Sequence, residues 1–387
     1  MKDLLFNSGK VLGRTRFPWV DYARGISIIL VCYRHVFEGL AYIGEGSYSY
    51  PWLKYTNIFF FSFRMPLFFI VSGMFFSAAL ARNGFREYIN KRFQTIFYPL
   101  LIWGGIQVAL QLIFADYVHA DRKPIDFLNL IINPRRIEQF WYLNALFFVG
   151  LLYVVLRKYA KLKAGHQLLL GLIFYSAAGL FYFYKIEVGF LFDVLFFYFF
   201  FAIGDLVSDF ILNSKNYKVL GSARTFYFLL PLFLIVQYYF TELNLQAKND
   251  YFVQYQVPVL YAVAALIGGA FVINVSFILE RLNTLKFLRV VGYHSLHIYV
   301  MHLMVTSFTR ISFVRIFDYT WIPVLLPVSI VLGITVPIIV YNLANRLGAW
   351  WLFTLKKPNP SIESEKKSWS IKTEPVQIKG SSSGQNH

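Results

Sequence analysis

Charge is scarce in this chain. Asp, Glu, Lys and Arg make up only 15% of its 387 residues, where a soluble globular domain carries about 25%. That shortage excludes an ordinary soluble enzyme. Cysteine is almost missing as well. Cys32 stands alone, which excludes an intrachain disulfide framework and a cysteine-based metal site. There is no internal repeat of solenoid period. No cleavable signal peptide is expected either, because residues 1–16 are polar and basic and the first apolar stretch is long enough to stay as an anchor.

What fills the space is apolar. The chain is 57% hydrophobic and 20% aromatic, with 42 Phe and 27 Tyr, and its mean hydropathy is +0.53. Such a composition predicts an all-α integral membrane protein. The net charge of +17 invites a nucleic-acid reading. However, Lys and Arg fall in short clusters between apolar stretches, which is what membrane orientation requires. No nucleic-acid partner is expected.

Hydropathy predicts a bundle of about ten spanning helices, over 19–41, 58–81, 93–114, 139–156, 167–184, 188–211, 225–241, 257–279, 293–313 and 322–345. Each is long enough for a hydrocarbon core of about 30 Å. The connections 1–16, 82–92, 157–166, 213–224 and 280–289 hold 18 Lys and Arg; the other five hold 8. The first set is therefore expected in the cytoplasm, with both termini. Three regions follow: a basic cytoplasmic N-terminus (1–16), a transmembrane domain (17–346) and a mostly disordered cytoplasmic tail (347–387). At the start of that tail, Trp350 and Trp351 read as an interfacial anchor.

Ionisable residues inside an apolar span cost about 2.5–3.5 kcal/mol each, so those that stay there are functional candidates. Arg24 and His35 lie in the first span, eleven residues apart. At about 100° and 1.5 Å per residue they leave one helix face about 16 Å apart. Arg24 then sits near the cytoplasmic surface and His35 in the outer half. Glu38 follows three residues after His35, within reach of the imidazole. Arg64, on the antiparallel second span, reaches a similar depth. A neutral imidazole beside a carboxylate suits a general base, and an arginine nearby suits developing negative charge. His35, Glu38 and Arg64 are thus the candidate catalytic group.

Other candidates carry less. Glu138, Trp141 and His302 are candidate substrate contacts, although Trp141 also reads as a belt aromatic and His302 as a helix-bridging hydrogen bonder. His294, His297 and His302 do not share a face, so no metal site is expected. Lys91 and Arg92 serve orientation, and as phosphate-binding types they are also candidates for holding a phosphorylated donor. Gly73, after Ser72, reads as a close-packing position.

The run Val20-Asp21-Tyr22-Ala23-Arg24-Gly25-Ile26, with His35 after ten intervening residues, resembles the opening of the membrane acyltransferase-3 family, which includes O-acetyltransferases of bacterial glycans. Phe63-Arg64-Met65-Pro66-Leu67-Phe68-Phe69-Ile70-Val71-Ser72-Gly73 is similar to that family's phenylalanine-rich Ser-Gly helix. Tyr88 through Lys91-Arg92 to Pro99, then Phe140-Trp141-Tyr142-Leu143, then Gly292 through His302 follow in the family's order. Many sugar-acetylating relatives have histidine where Arg64 stands; arginine there looks closer to relatives that modify periplasmic glucans, so the acceptor stays open. The resemblance implies a multi-pass protein of the cytoplasmic (inner) membrane. It implies cytoplasmic acyl-CoA as donor, usually acetyl-CoA, and a glycan or sugar acceptor outside, with no permanently bound cofactor. It also implies that His35 is catalytic and that Arg24 holds the donor's thioester arm. Direct transfer is preferred, since no paired nucleophile is visible. A transporter or flippase of a lipid-linked sugar is the alternative, and a polymerase or ligase would call for a larger outside loop than 115–138.

Overall fold

The computed structural model describes residue 6 and residues 8–13, 17–115 and 121–356. The expectations for the basic N-terminus fall mostly outside these residues, and those for the tail beyond 356 wholly so. Among the described residues every regular element is helical. The helices that build the bundle are α1 (Pro18–Gly39), α2 (Pro51–Phe59), α3 (Phe61–Met74), α4 (Phe76–Arg92), α5 (Tyr98–Ile113), α6 (Asp126–Ile132), α7 (Trp141–Tyr159), α8 (Ala164–Phe183), α9 (Leu191–Ile211), α10 (Ala223–Gln246), α11 (Pro258–Leu282), α12 (Phe287–Tyr293), α13 (Ser295–Ile316) and α14 (Ile322–Arg346).

Local chemistry sets many of the ends. Proline occupies the first turn of α1, α2, α11 and α14, where its missing N–H costs nothing. Ser222 caps α10 by accepting the Thr225 N–H at 3.0 Å. Asn283 stops α11 in the left-handed region at φ 52°.

Among the described residues, eight helical stretches are long and apolar enough to cross a membrane. The expected first and ninth spans are α1 and α13, each a 22-residue helix of about 33 Å. Their polar side chains keep them out of that set of eight. Boundaries also move. The expected second span (58–81) breaks at Phe60 and Phe75, and the crossing stretch is Pro51–Met74. The expected connection 82–92 is mostly helix: α4 kinks at Gly84 (φ 71°) and runs on through a π turn, Phe93–Phe97, into α5. A continuous apolar run carries no mark of where its helix bends.

α1 is the hub. It packs against α3, α11, α12, α13 and α14. The 51–74 stretch is 72% buried, whereas α8 and α10 are only 22% buried and form the rim. Rim residues such as Tyr227, Phe228 and Ile235 are exposed, as befits a surface facing lipid. α3 and α9 meet backbone to backbone. A Cβ on Gly73 would strike the Phe201 carbonyl, and one on Gly204 the Ile70 carbonyl. The close-packing role expected for Gly73 is therefore met, with Gly204 as its counterpart. Residues 350–352 form a 3-10 turn tied to α5, where Tyr98 Oη donates to the Trp351 carbonyl at 2.7 Å and Trp103 Nε1 to Leu352 at 3.0 Å.

Candidate functional site: two clefts that meet at His35

α1 runs unbroken from Pro18 to Gly39, so the spacing that puts Arg24 and His35 on one face holds. His35 is partly exposed, and it lines two clefts. One, of about 230 Å³, opens among Arg34, Arg64, Arg135, Trp141 and Tyr251. The other, also of about 230 Å³, opens among Gln111, Thr306, Arg310 and Ser329. His35, Glu38 and Glu138 belong to both. The first cleft is aromatic and rich in arginine; the second carries small hydroxyls and amides.

Glu38 Oε2 stands 3.9 Å from His35 Nδ1, too far for a hydrogen bond. Its other oxygen pairs with Arg34 at 2.7 Å. Arg34 leaves α1 about 100° round from His35, yet it reaches the same cleft by lying over the rings of Phe61 and Tyr251, at 4.7 and 4.8 Å. It also donates to Tyr251 Oη. Arg64 is only 2% exposed. Its Nη1 donates to the Leu30 carbonyl at 3.0 Å and to Asn57 Oδ1 at 3.3 Å, while Nη2 has no protein partner. One N–H pair of Arg64 is thus left over beside the cleft that His35 lines.

Glu138 comes from a kinked 3-10 segment, Pro134–Phe140, where it adopts φ 43°, ψ −114°. A side chain rarely takes that conformation. Its carboxylate pairs with Arg122 and accepts from Gln107 Nε2 at 2.8 Å. Trp141, at the start of α7, lines the aromatic cleft with Arg135 held 4.6 Å over its ring. Arg135 in turn grips Asp193 with two nitrogens at 2.6–3.0 Å. Trp141 therefore presents an aromatic wall inside the bundle, whatever its distance from a membrane surface.

His302 lines neither cleft. It is fully buried behind His35, with ring centroids 5.2 Å apart. His294 and His297 lie elsewhere, 5.7 Å from each other, with His297 stacked on Tyr341 at 3.6 Å. The three histidines are two separate groups. Arg24 lies on neither cleft wall and makes no hydrogen bond or ion pair among the described residues. Lys91 is exposed and pairs with Glu87 at 3.8 Å. Arg92 turns inward: Nη2 donates to the Leu146 carbonyl at 2.6 Å and the guanidinium crosses Gly150. Arg24 and Arg92 both lie near enough to Tyr142 to act electrostatically on its hydroxyl.

Arg34, Arg135 and Arg310 also line the clefts, and no local sequence signal singles them out. Arg310 Nη1 donates to the Gly39 carbonyl at 2.8 Å, at the C-terminal end of α1.

A helical bundle with membrane-length apolar stretches and a partly exposed histidine on the wall of two clefts defines a multi-pass membrane protein with a candidate site at that imidazole. Residues 17–342 match the acyltransferase-3 family, described as an acyltransferase domain, and the chain belongs to that family. It is 28% identical over 143 residues to the nodulation protein NolL of Mesorhizobium japonicum, across 37% of this chain and 36% of that relative. With the nodulation protein NolL of Sinorhizobium fredii it shares 26% identity over 126 residues, 32% of each chain. The match thus spans about a third of the length of these curated relatives. No solved structure matches.

Proposed function

We propose that this protein is a membrane-embedded O-acyltransferase that moves an acyl group, most simply acetyl, from cytoplasmic acyl-CoA to a hydroxyl of a glycan outside the cytoplasmic membrane. The observation that carries this reading is the place of His35, on the shared wall of two clefts. One imidazole open to two ligand spaces is what a transfer between two substrates needs.

The bundle crosses the membrane ten times, with α1 and α13 as the two polar spans and both termini in the cytoplasm. The Lys and Arg bias of the connections supports this orientation. Arg24 then lies at the cytoplasmic mouth, where the donor's arm enters, and Arg92 stands nearby. Lys91, at the surface end of α4, meets the donor's phosphates. His35, about 16 Å further along α1, takes the proton of the acceptor hydroxyl as its oxygen attacks the thioester carbonyl. The free Nη2 of Arg64 stabilises the oxyanion. The C–S bond then breaks, and the imidazolium returns its proton to the departing thiolate. Glu38 and Glu138 hold acceptor hydroxyls, and Trp141 offers a ring for a sugar face to stack on. Transfer is direct, without an acyl-enzyme.

Mass spectrometry of cell-surface glycans from cells with and without the protein tests this. A mass increment of one acetyl or one succinyl group, present only with the protein, names donor and acceptor together. Identical glycans in both cells would contradict the proposal.

A further inference from the structure

The buried face of His35 points to a second histidine whose hydrogen bonds leave one role open. His302 Nδ1 lies 3.0 Å from the Ile298 carbonyl and 2.9 Å from the Tyr299 carbonyl. Both partners are acceptors, so Nδ1 must carry the proton. Nε2 is then a bare lone pair. It is fully buried and has no protein partner, a costly state for a polar atom unless it has a use. The His302 ring lies against that of His35, 5.2 Å away centroid to centroid and inclined by 49°, with the Tyr299 ring at 5.9 Å.

No other group near His35 fills this role. Glu38, on the same helix, is 3.9 Å away and engaged by Arg34. Arg34 and Arg64 are donors that disfavour a second positive charge. Glu138 is held by Arg122 and Gln107. Once His35 takes a proton, both of its ring nitrogens carry hydrogen. It then needs an acceptor that is neutral, close and fixed.

We infer that His302 is a positioning residue for His35, its Nε2 lone pair accepting an N–H of the histidine that takes the acceptor's proton. The backbone carbonyls of α13 lock the His302 tautomer, much as second ligands lock a histidine in other sites. The contact tightens, directly or through one water, when His35 becomes charged; catalytic hydrogen bonds are commonly loose before substrate binds. This inference rests on the acyl-transfer reading above.

The test uses the full chain in lipid nanodiscs, with acetyl-CoA as donor and surface glycan from cells lacking the protein as acceptor. His302→Phe keeps a planar ring and removes the acceptor. His302→Gln restores a side-chain oxygen. The expected result is a kcat lowered on the order of 10–100-fold in His302→Phe, with KM for both substrates unchanged, and a substantial recovery in His302→Gln. Wild-type kcat in His302→Phe would overturn the inference. So would equal losses in both variants, which would leave only a packing role. If His302→Phe does not fold, His302→Gln decides alone: kcat within tenfold of wild type supports the inference, and a rate as low as that of His35→Ala contradicts it. A wild-type protein that transfers no acyl group would instead sink the acyl-transfer reading, so the two failures are distinguishable.

Discussion

Arg34 holds Glu38 at 2.7 Å, one helical turn away, while Glu38 stands 3.9 Å from His35. The carboxylate that sequence spacing offers to the imidazole is thus shared with a guanidinium. Glu38 is therefore not a firm hydrogen-bond partner of His35. Glu38→Gln is expected to slow acyl transfer by less than the 10²–10⁴-fold that general base catalysis typically contributes. A loss as large as that of His35→Ala, measured in the same assay, would show that the pair is tighter during turnover.

Glu138 sits where a side chain is strained, at φ 43°, ψ −114°, and it lines both clefts. Strain of this kind costs about 1–3 kcal/mol and is commonly kept for function. Glu138→Gly and Glu138→Ala both lose the carboxylate, but only alanine keeps the strain. Thermal unfolding in detergent should find the glycine variant the more stable by about 1–2 kcal/mol, with both variants equally slow in transfer.

Asp193 is 1% exposed and Arg135 is its partner. Removing the arginine leaves a buried charge alone, which typically costs about 3–5 kcal/mol. Arg135→Met is accordingly expected to lower stability more than Asp193→Asn, which leaves a partly accessible cation instead. The order of the two unfolding midpoints is the check.

Gly73 meets the Phe201 carbonyl so closely that a Cβ has no room. Gly73→Val should destabilise the bundle by at least the 1–3 kcal/mol typical of overpacking. Gly105→Ala, at a helical position with nothing within 4 Å, should be neutral or slightly stabilising. Equal behaviour of the two variants would contradict the α3–α9 contact.

The sequence made the helices legible because long apolar runs between basic clusters have one reading in a bilayer. All ten expected segments are helical within a few residues, except that 58–81 breaks at Phe60 and Phe75, and the expected connection 82–92 is mostly helix. The breaks at Phe60, Phe75 and Gly84 were hidden because hydropathy does not record a bend. Within the site, helical geometry was enough to bring Glu38 near His35, since both lie on α1. It was also enough to suggest Arg64, which shares a cleft with His35. It could not show that Arg34 folds back over Phe61 and Tyr251 or that Arg135 reaches across 58 residues to Asp193. Nor could it show that His302 hides behind His35. Those are tertiary contacts between side chains that look, one at a time, like orientation charges or packing.

Arg24 lines neither cleft and forms no ion pair among the described residues, so its charge is available to a ligand. Arg24→Ala is expected to raise KM for acetyl-CoA by tenfold or more while the acceptor KM holds, and Arg24→Lys to recover part of the difference. An unchanged donor KM would remove Arg24 from the donor path.

The central claim is that His35 takes the proton of the acceptor hydroxyl. His35→Ala, purified in nanodiscs and shown to unfold at the wild-type temperature, should transfer no labelled acetyl group from acetyl-CoA to the surface glycan. Transfer by that variant at the wild-type rate would contradict the mechanism.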